Sequence, residues 1–257
     1  MPVRLMSPPG YPHAAGLAEL AETVEYGLGV LALPDEPTIV LGAHLPGARV
    51  PAGAIIYNTE HPASPWMTAS YRALLAQHQV WSYYAGGPGL YVPVGYAPTL
   101  TRIPVANFQD IDILFYGSVN ERRLDVLLDL RARGLYVEVV TGKYGPERDA
   151  LIARAKVVLN MHYYLPGIFE AVRVSYLWAN RKCVVSEAST DHFFGCPYVW
   201  PRGEYSVKPA YRDLAHVAEL YVRNGAARHG QAEACFDFFS TKKEEMFLAE
   251  ALCTPVS

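Results

Sequence analysis

Several familiar signals are missing from this 257-residue chain, and each absence removes a class of function. Its four cysteines, Cys183, Cys196, Cys235 and Cys253, contain no C-x-x-C pair, which speaks against a disulfide framework or a zinc finger. Cys183 lies in an apolar run and reads as a buried, inert thiol. No uninterrupted apolar stretch reaches the roughly 18 residues of a membrane span. The first ten residues lack the apolar centre of a signal peptide, so the expectation is a soluble, cytoplasmic protein. With 22 Lys+Arg against 25 Asp+Glu, the formal charge of −3 gives no global basic footprint for nucleic acid. Neither G-x-G-x-x-G nor a Walker A pattern occurs, which lowers dinucleotide and NTPase readings. An acidic cluster of the response-regulator type is also missing at the end of the first strand of the second half.

What is present is a chain able to build a full core. Half of it (51%) is hydrophobic, which excludes disorder. Tyrosine is abundant, at 18 against 9 Phe and 4 Trp. Residues 14–28 repeat apolar positions at helical spacing and end near Gly27 and Gly29. Short apolar runs at 38–41 and 54–57 predict strands, 66–77 a helix and 79–83 another strand. The stretch 85–105 is dense in Gly and Pro and cannot hold a long helix, so the domain junction is placed there. Beyond it, strands at 112–116, 136–141, 156–160 and 182–186 alternate with helices at 120–133, 147–154 and 168–180. Such alternation predicts a parallel sheet with helices on both faces. Helices near 209–223, 229–239 and 241–252 close the chain.

Ligands of parallel sheets bind outside the carboxyl ends of the strands. One such end carries YGSVNERR at 116–123, where Gly117 and Ser118 make a turn before a helix start bearing Arg122 and Arg123. Free N–H groups there suit a phosphate, and arginine suits a diphosphate. A second carries Asn160 and His162, followed by Glu170 and Arg173 three apart on a helix, then Glu187. Singly these residues suit a surface ion pair and a packed histidine. Gathered on successive strand ends they suit a polar ligand with hydroxyls and negative charge. Asp110 and Asp112 precede their strand, so they point away from that end, and no metal site is assigned.

The stretches ILFYGSVNERR, LIARAKVVLNMH and FEAVRVSYLWANRKCVVSE resemble the donor-binding half of GT-B-fold glycosyltransferases, near the group-1 and spore-coat (CgeB-like) branches. AIIYNTEHPASPWMTASYRALLAQHQVWSYY and YVPVGY extend the resemblance with less force to the N-terminal half. It implies two Rossmann-like lobes: a reduced acceptor-side lobe at 1–105, and a donor lobe at 106–257 that includes the closing helices. The last helix is expected, on the same basis, to cross back to the first lobe. The donor is then a nucleotide-diphosphate sugar, contacted by Gly117, Ser118, Arg122, Arg123, Asn160, His162, Glu170, Arg173 and Glu187, with no metal or other cofactor. Transfer would go to an acceptor hydroxyl in the interlobe cleft. For an inverting enzyme His13, ahead of the first helix, is the expected general base, with Glu60 and His61 next and Asp191-His192 third. The Glu-x7-Glu of retaining members is absent: Ile168 and Tyr176 take those positions. The acceptor is left open among a saccharide, a protein and a hydroxymethylated base in DNA, as for compact phage enzymes. Arg49, Arg72, Arg102, Lys242 and Lys243 are candidate contacts to DNA. A non-catalytic nucleotide-sugar-binding module is the alternative.

Overall fold

The computed structural model describes residues 3–6, 12–104, 106–191 and 211–254, without the side chains of residues 12, 13 and 212. It divides into two compact units, Met1–Leu100 with Ser240–Ser257, and Thr101–Phe239.

In the first unit, β1 (Val3–Leu5) is followed by a 3-10 turn at Pro12–Leu17 and α1 (Ala18–Leu31). Next come β2 (Ile39–Leu41), β3 (Ile55–Asn58), α2 (Ala69–Leu75), β4 (Gln79–Ser82) and β5 (Leu90–Tyr91). The five strands are all parallel, in the order β1-β2-β3-β4-β5. Every residue of β2 and β3 is buried, which explains their unbroken apolar runs: a parallel strand covered on both faces shows no alternation. β1 and β5 are additions to the sequence reading. Three and two residues long, among Pro and Gly, they are too short to leave a periodic signal.

The second unit contains β6 (Ile111–Tyr116), α3 (Glu121–Ala132), β7 (Val137–Val140), α4 (Gly145–Arg154), β8 (Ala155–Asn160), α5 (Ala171–Ala179) and β9 (Val184–Ser186). α6 (Leu214–Arg223) and α7 (Gly225–Ser240) follow. The strands are parallel, as the alternating pattern predicts, and stand in the order β7-β6-β8-β9. The chain leaves β6 to one side for β7 and returns to its other side for β8. That reversal makes a topological switch point at the carboxyl ends of β6 and β8, the place where open α/β sheets generally bind their ligands. The core gathers Ile113, Phe115, Val157 and Leu159 from the sheet with Leu127 and Leu130 from α3 and Leu214 and Ala218 from α6. Trp178 packs between Phe169 and Phe239, with ring centroids 5.9 Å away on each side.

α8 (Glu244–Cys253) rejoins the first unit and packs along α1. The domain division therefore differs from 1–105 and 106–257: the boundary falls after Leu100, and the closing helix belongs with the N-terminal sheet. Its entry is pinned by Tyr96 N–H donating to the Lys242 carbonyl (2.6 Å) and Glu244 N–H to the Tyr96 carbonyl (3.2 Å). Gly27 does not end α1. It lies inside the helix, where an added Cβ would sit 2.7 Å from Leu248 Cδ1. Ala32, in the left-handed region at φ 46°, ends it instead. Among the described residues no helix is long and apolar enough to cross a membrane.

Candidate functional site

β6 ends at Tyr116, and Gly117 turns the chain at φ +137°, in backbone space that favours glycine. The turn is held by Gly117 N–H donating to the Val140 carbonyl at 2.8 Å and by the Thr141 hydroxyl donating to the Gly117 carbonyl at 3.1 Å. A Cβ on Gly117 would lie 3.0 Å from Arg173 Nη2, so the missing side chain leaves room for a guanidinium against the backbone. Asn120 caps α3, its Oδ1 accepting the Arg123 N–H at 3.0 Å.

Arg122 and Arg123 turn back into the protein. Arg122 makes a two-pronged pair with Glu187, donates to the His162 carbonyl at 3.1 Å and stacks 4.1 Å from the Tyr211 ring. Arg123 is only 3% exposed. It donates to the carbonyls of Ser118 (2.7 Å) and Met161, between the rings of Phe115 and Tyr163. Both guanidiniums thus tie the loop after β6 to the loop after β8. Burial, helped by the neighbouring charges of Arg173 and Arg122, lowers the Arg123 pKa to about 10; Glu170 opposes this.

The β8 end supplies Asn160 and His162, both buried. Asn160 Nδ2 donates to Glu170 Oε2 and to Ser186 Oγ, each at 2.9 Å, and its Oδ1 accepts Arg173 Nη1 at 3.2 Å. His162 Nε2 lies 3.0 Å from the Ala188 carbonyl, and Nδ1 lies 3.0 Å from Glu170 Oε2. Burial works against a charge on His162, but the bond to Glu170 and the charges of Glu170 and Glu187 outweigh it and raise its pKa. Glu170 moves the other way: burial opposes ionisation, but His162, Arg173 and Asn160 hold its carboxyl below the usual range. Gly167 is obligatory beside this ring, because a Cβ there would fall 2.2 Å from His162 Cδ2. Glu187 accepts the His162 N–H at 3.0 Å as well as Arg122. α5 starts at Ala171 rather than 168, which leaves Glu170 at its N-cap position with a side chain 24% exposed.

All nine predicted ligand-binding residues therefore meet at the carboxyl ends of β6, β8 and β9. Three cationic side chains, Arg122, Arg123 and Arg173, face two carboxylates, Glu170 and Glu187. Tyr116 and Ser186, at the strand ends already marked in the sequence, join them, and so does Tyr211, which no sequence signal announces. Tyr116 has the guanidinium carbons of Arg173 and Arg148 at 5.1 and 5.8 Å from its ring centre.

In the N-terminal unit Glu60 follows β3, and its partner was not foreseen. His44, beyond the end of β2, places Nε2 3.2 Å from Glu60 Oε1. Ser64 Oγ donates to Glu60 Oε2 at 2.6 Å, and the His44 ring lies 5.9 Å from those of Trp66 and Tyr71. The carboxylate accepts the Nε2 proton, so Nδ1 keeps its lone pair; that atom is buried and has no partner among the described residues. Burial lowers the His44 pKa against the opposing charge of Glu60. The signal available in sequence was a histidine just past an apolar strand, the pattern that located His162. The His13 side chain lies outside the described residues, as does His192. Asp191 accepts the Phe169 N–H at 2.8 Å. Asp110 pairs with Arg154 and Asp112 with Lys156, at the opposite end of the sheet from Gly117. No group of three or more His, Cys, Asp or Glu suited to a metal occurs among the described residues.

No family model matches the chain. Among curated proteins it is 31% identical over 110 residues to Uncharacterized protein L137 of Acanthamoeba polyphaga mimivirus, covering 40% of this chain and 15% of that one. It is 34% identical over 106 residues to L138 (39% and 12%) and 30% over 116 residues to L140 (42% and 38%) of the same virus. The matches thus take in well under two thirds of those relatives' lengths. Among solved structures, TarM aligns with a TM-score of 0.52 at 12% identity, over 91% of this chain and 57% of TarM. AviGT4, a glycosyltransferase involved in avilamycin A biosynthesis, aligns at 0.51 and 15% identity, over 92% of this chain and 88% of its own. At such identities the likeness is one of fold, and the chain has the α/β architecture of GT-B glycosyltransferases: two parallel sheets flanked by helices.

Proposed function

We propose that the chain transfers a sugar from a nucleotide-diphosphate sugar to an acceptor hydroxyl. The observation that carries this reading is the cationic surplus at the switch point. Three guanidiniums converge on the ends of β6 and β8 against two carboxylates, and Arg123 is held below its ordinary pKa by burial and by its charged neighbours. A diphosphate relieves that repulsion. In this reading Arg173, lying against the bare backbone of Gly117, holds the diphosphate together with the N–H groups that open α3. Arg122, Arg123 and Glu187 keep the loops in register. Glu170, the more exposed carboxylate, takes up ribose or sugar hydroxyls with His162 and Asn160 beside it.

Transfer requires that the acceptor O–H lose its proton as the anomeric carbon–diphosphate bond breaks and the nucleoside diphosphate leaves. His44, in the N-terminal unit, has the character of such a base: burial lowers its pKa and Glu60 orients its ring. His13 is the other candidate. Arginine and helix N-termini, rather than a metal, carry the charge of the leaving group.

Thermal-shift titration with UDP-, GDP- and dTDP-sugars, followed by mass spectrometry with pooled saccharide, protein and hydroxymethylated-DNA acceptors, tests the reading. One nucleotide-diphosphate sugar should raise Tm, and Arg173→Ala should abolish the rise without lowering the Tm of the free protein by more than a few degrees. His44→Gln should cut turnover about 10²-fold or more while leaving donor affinity unchanged. If no nucleotide diphosphate stabilises the protein and no donor is consumed, the proposal fails.

A further inference from the structure

The N-terminal unit contains a cavity of about 770 Å³ between α2, the start of β4 and the Gly/Pro turn leading to β5. β5 is the last strand on that side of the sheet, so the cavity opens at the sheet edge. Its walls come from the N-terminal unit, and none of the nine donor-site residues lines it.

The lining has two characters. Met67, Leu75, Val80 and Leu90 give it an apolar body. Gly86 contributes empty space, since a Cβ there would meet nothing within 4 Å. Its polar side chains are those of Arg72, His78, Gln79, Tyr84 and Thr254. Arg72 Nε donates to the Met67 carbonyl at 3.2 Å, which fixes the guanidinium plane. Its two terminal nitrogens have no acceptor among the described residues. His78 places Nδ1 3.2 Å from the Ala54 carbonyl, so its proton sits there and Nε2 is free. The Tyr84 hydroxyl likewise has no partner among the described residues. Burial raises its pKa against the opposing pull of Arg72, and it stays a donor. No Asp or Glu side chain lines the cavity among the described residues.

An arginine with both terminal nitrogens unused, a tyrosine hydroxyl and a histidine, set beside an apolar wall with no acidic side chain among the described residues, match an anionic head on an apolar body. The volume lies within the roughly 300–1,000 Å³ of small-molecule sites. We propose that this cavity binds a small amphipathic phosphate or carboxylate. The head sits on Arg72 with Tyr84 and His78, and the apolar body lies against Leu75, Val80 and Leu90. The site is independent of the sugar-transfer reading.

Isothermal titration with n-hexyl phosphate and with hexanoate tests it, with inorganic phosphate and 1-hexanol as head-only and tail-only probes. At least one amphipathic anion should bind ten times more tightly than either fragment, and the better one names the head group. Arg72→Gln should weaken that binding at least tenfold. Ala76→Trp, at an exposed lining position just after α2, should block it by filling the cavity, with Tm confirming that both variants fold. Arg173→Ala, in the other unit, should leave it unchanged. Absence of binding, equal binding of 1-hexanol, indifference to both cavity variants, or loss in Arg173→Ala would each overturn the proposal.

Discussion

At the scale of single residues, the most consequential group outside the candidate sites is Glu244, fully buried in the first turn of α8. One carboxylate oxygen accepts the Gly95 N–H at 2.5 Å, and the other has no partner among the described residues. Burial pushes its pKa up to about 8; the Gly95 bond resists this and Glu245 adds to it. An unfolded glutamate ionises near 4.5, so between that value and about 8 only the folded chain keeps the proton. The stabilising contribution is therefore complete below the unfolded value and is lost as pH rises through about 8. Tm should fall between pH 5 and 8.5, and Glu244→Gln should flatten the fall and raise Tm at the alkaline end. Since His162 also has a raised pKa and loses stability in the same direction, the difference between the two proteins is the quantity to measure. Parallel curves would count against a buried neutral acid. Cys183 follows the reading made from its apolar run: it is buried, and burial pushes its thiol up to about 12.

At the scale of elements, the two glycines of α1 have opposite meanings that spacing alone does not separate. Gly29 meets nothing within 4 Å, so Gly29→Ala should stabilise the helix by about 0.5–1 kcal/mol through lost backbone entropy. Gly27 faces α8, where a new methyl would fall 2.7 Å from Leu248 Cδ1, 2.9 Å from Glu244 Cγ and 3.3 Å from the Glu245 backbone nitrogen. Gly27→Ala should cost about 1–3 kcal/mol by overpacking, read from chemical denaturation of both variants. Two similar shifts would show that the α1–α8 contact is looser than described. The start of α5 has a comparable lesson. Residues 168–170 continue the apolar pattern of a helix, but Phe169 N–H is engaged by Asp191 and Gly167 must clear the His162 ring. Tertiary contacts thus delay the helix by three residues and free Glu170 for the site.

At the scale of the whole molecule, the closing helix makes the N-terminal unit discontinuous in sequence. A chain ending at Ser240 loses the cover that α8 gives α1, including buried Leu248 and Ala251. Such a truncation should abolish cooperative unfolding of the N-terminal unit and expose it to limited proteolysis within 1–100. A truncated chain that keeps full Tm and protease resistance would reduce α8 to an ornament.

Much of this architecture was legible in the residues themselves. β2, β3, β6 and β8 are buried on both faces, so their apolar runs mark them without any knowledge of neighbours, and the alternation with helices makes a parallel sheet the expected arrangement. Placing Gly117, Asn160 and Glu187 at strand ends followed from that arrangement alone. Pairings across long separations were not legible. Arg122 and Glu187 are 65 positions apart and Asn160 and Ser186 are 26 apart, and no local pattern encodes which side chain a topology brings opposite which. Two arginines that suit a phosphate equally well as letters are in fact bound to loop carbonyls and Glu187, while Arg173 lies against Gly117. His44 joins Glu60 only because β2 and β3 are neighbours in the sheet. Periodicity is a property of consecutive residues and determined the elements; burial, charge pairing and the place of each guanidinium depend on strand order, which only the folded chain decides.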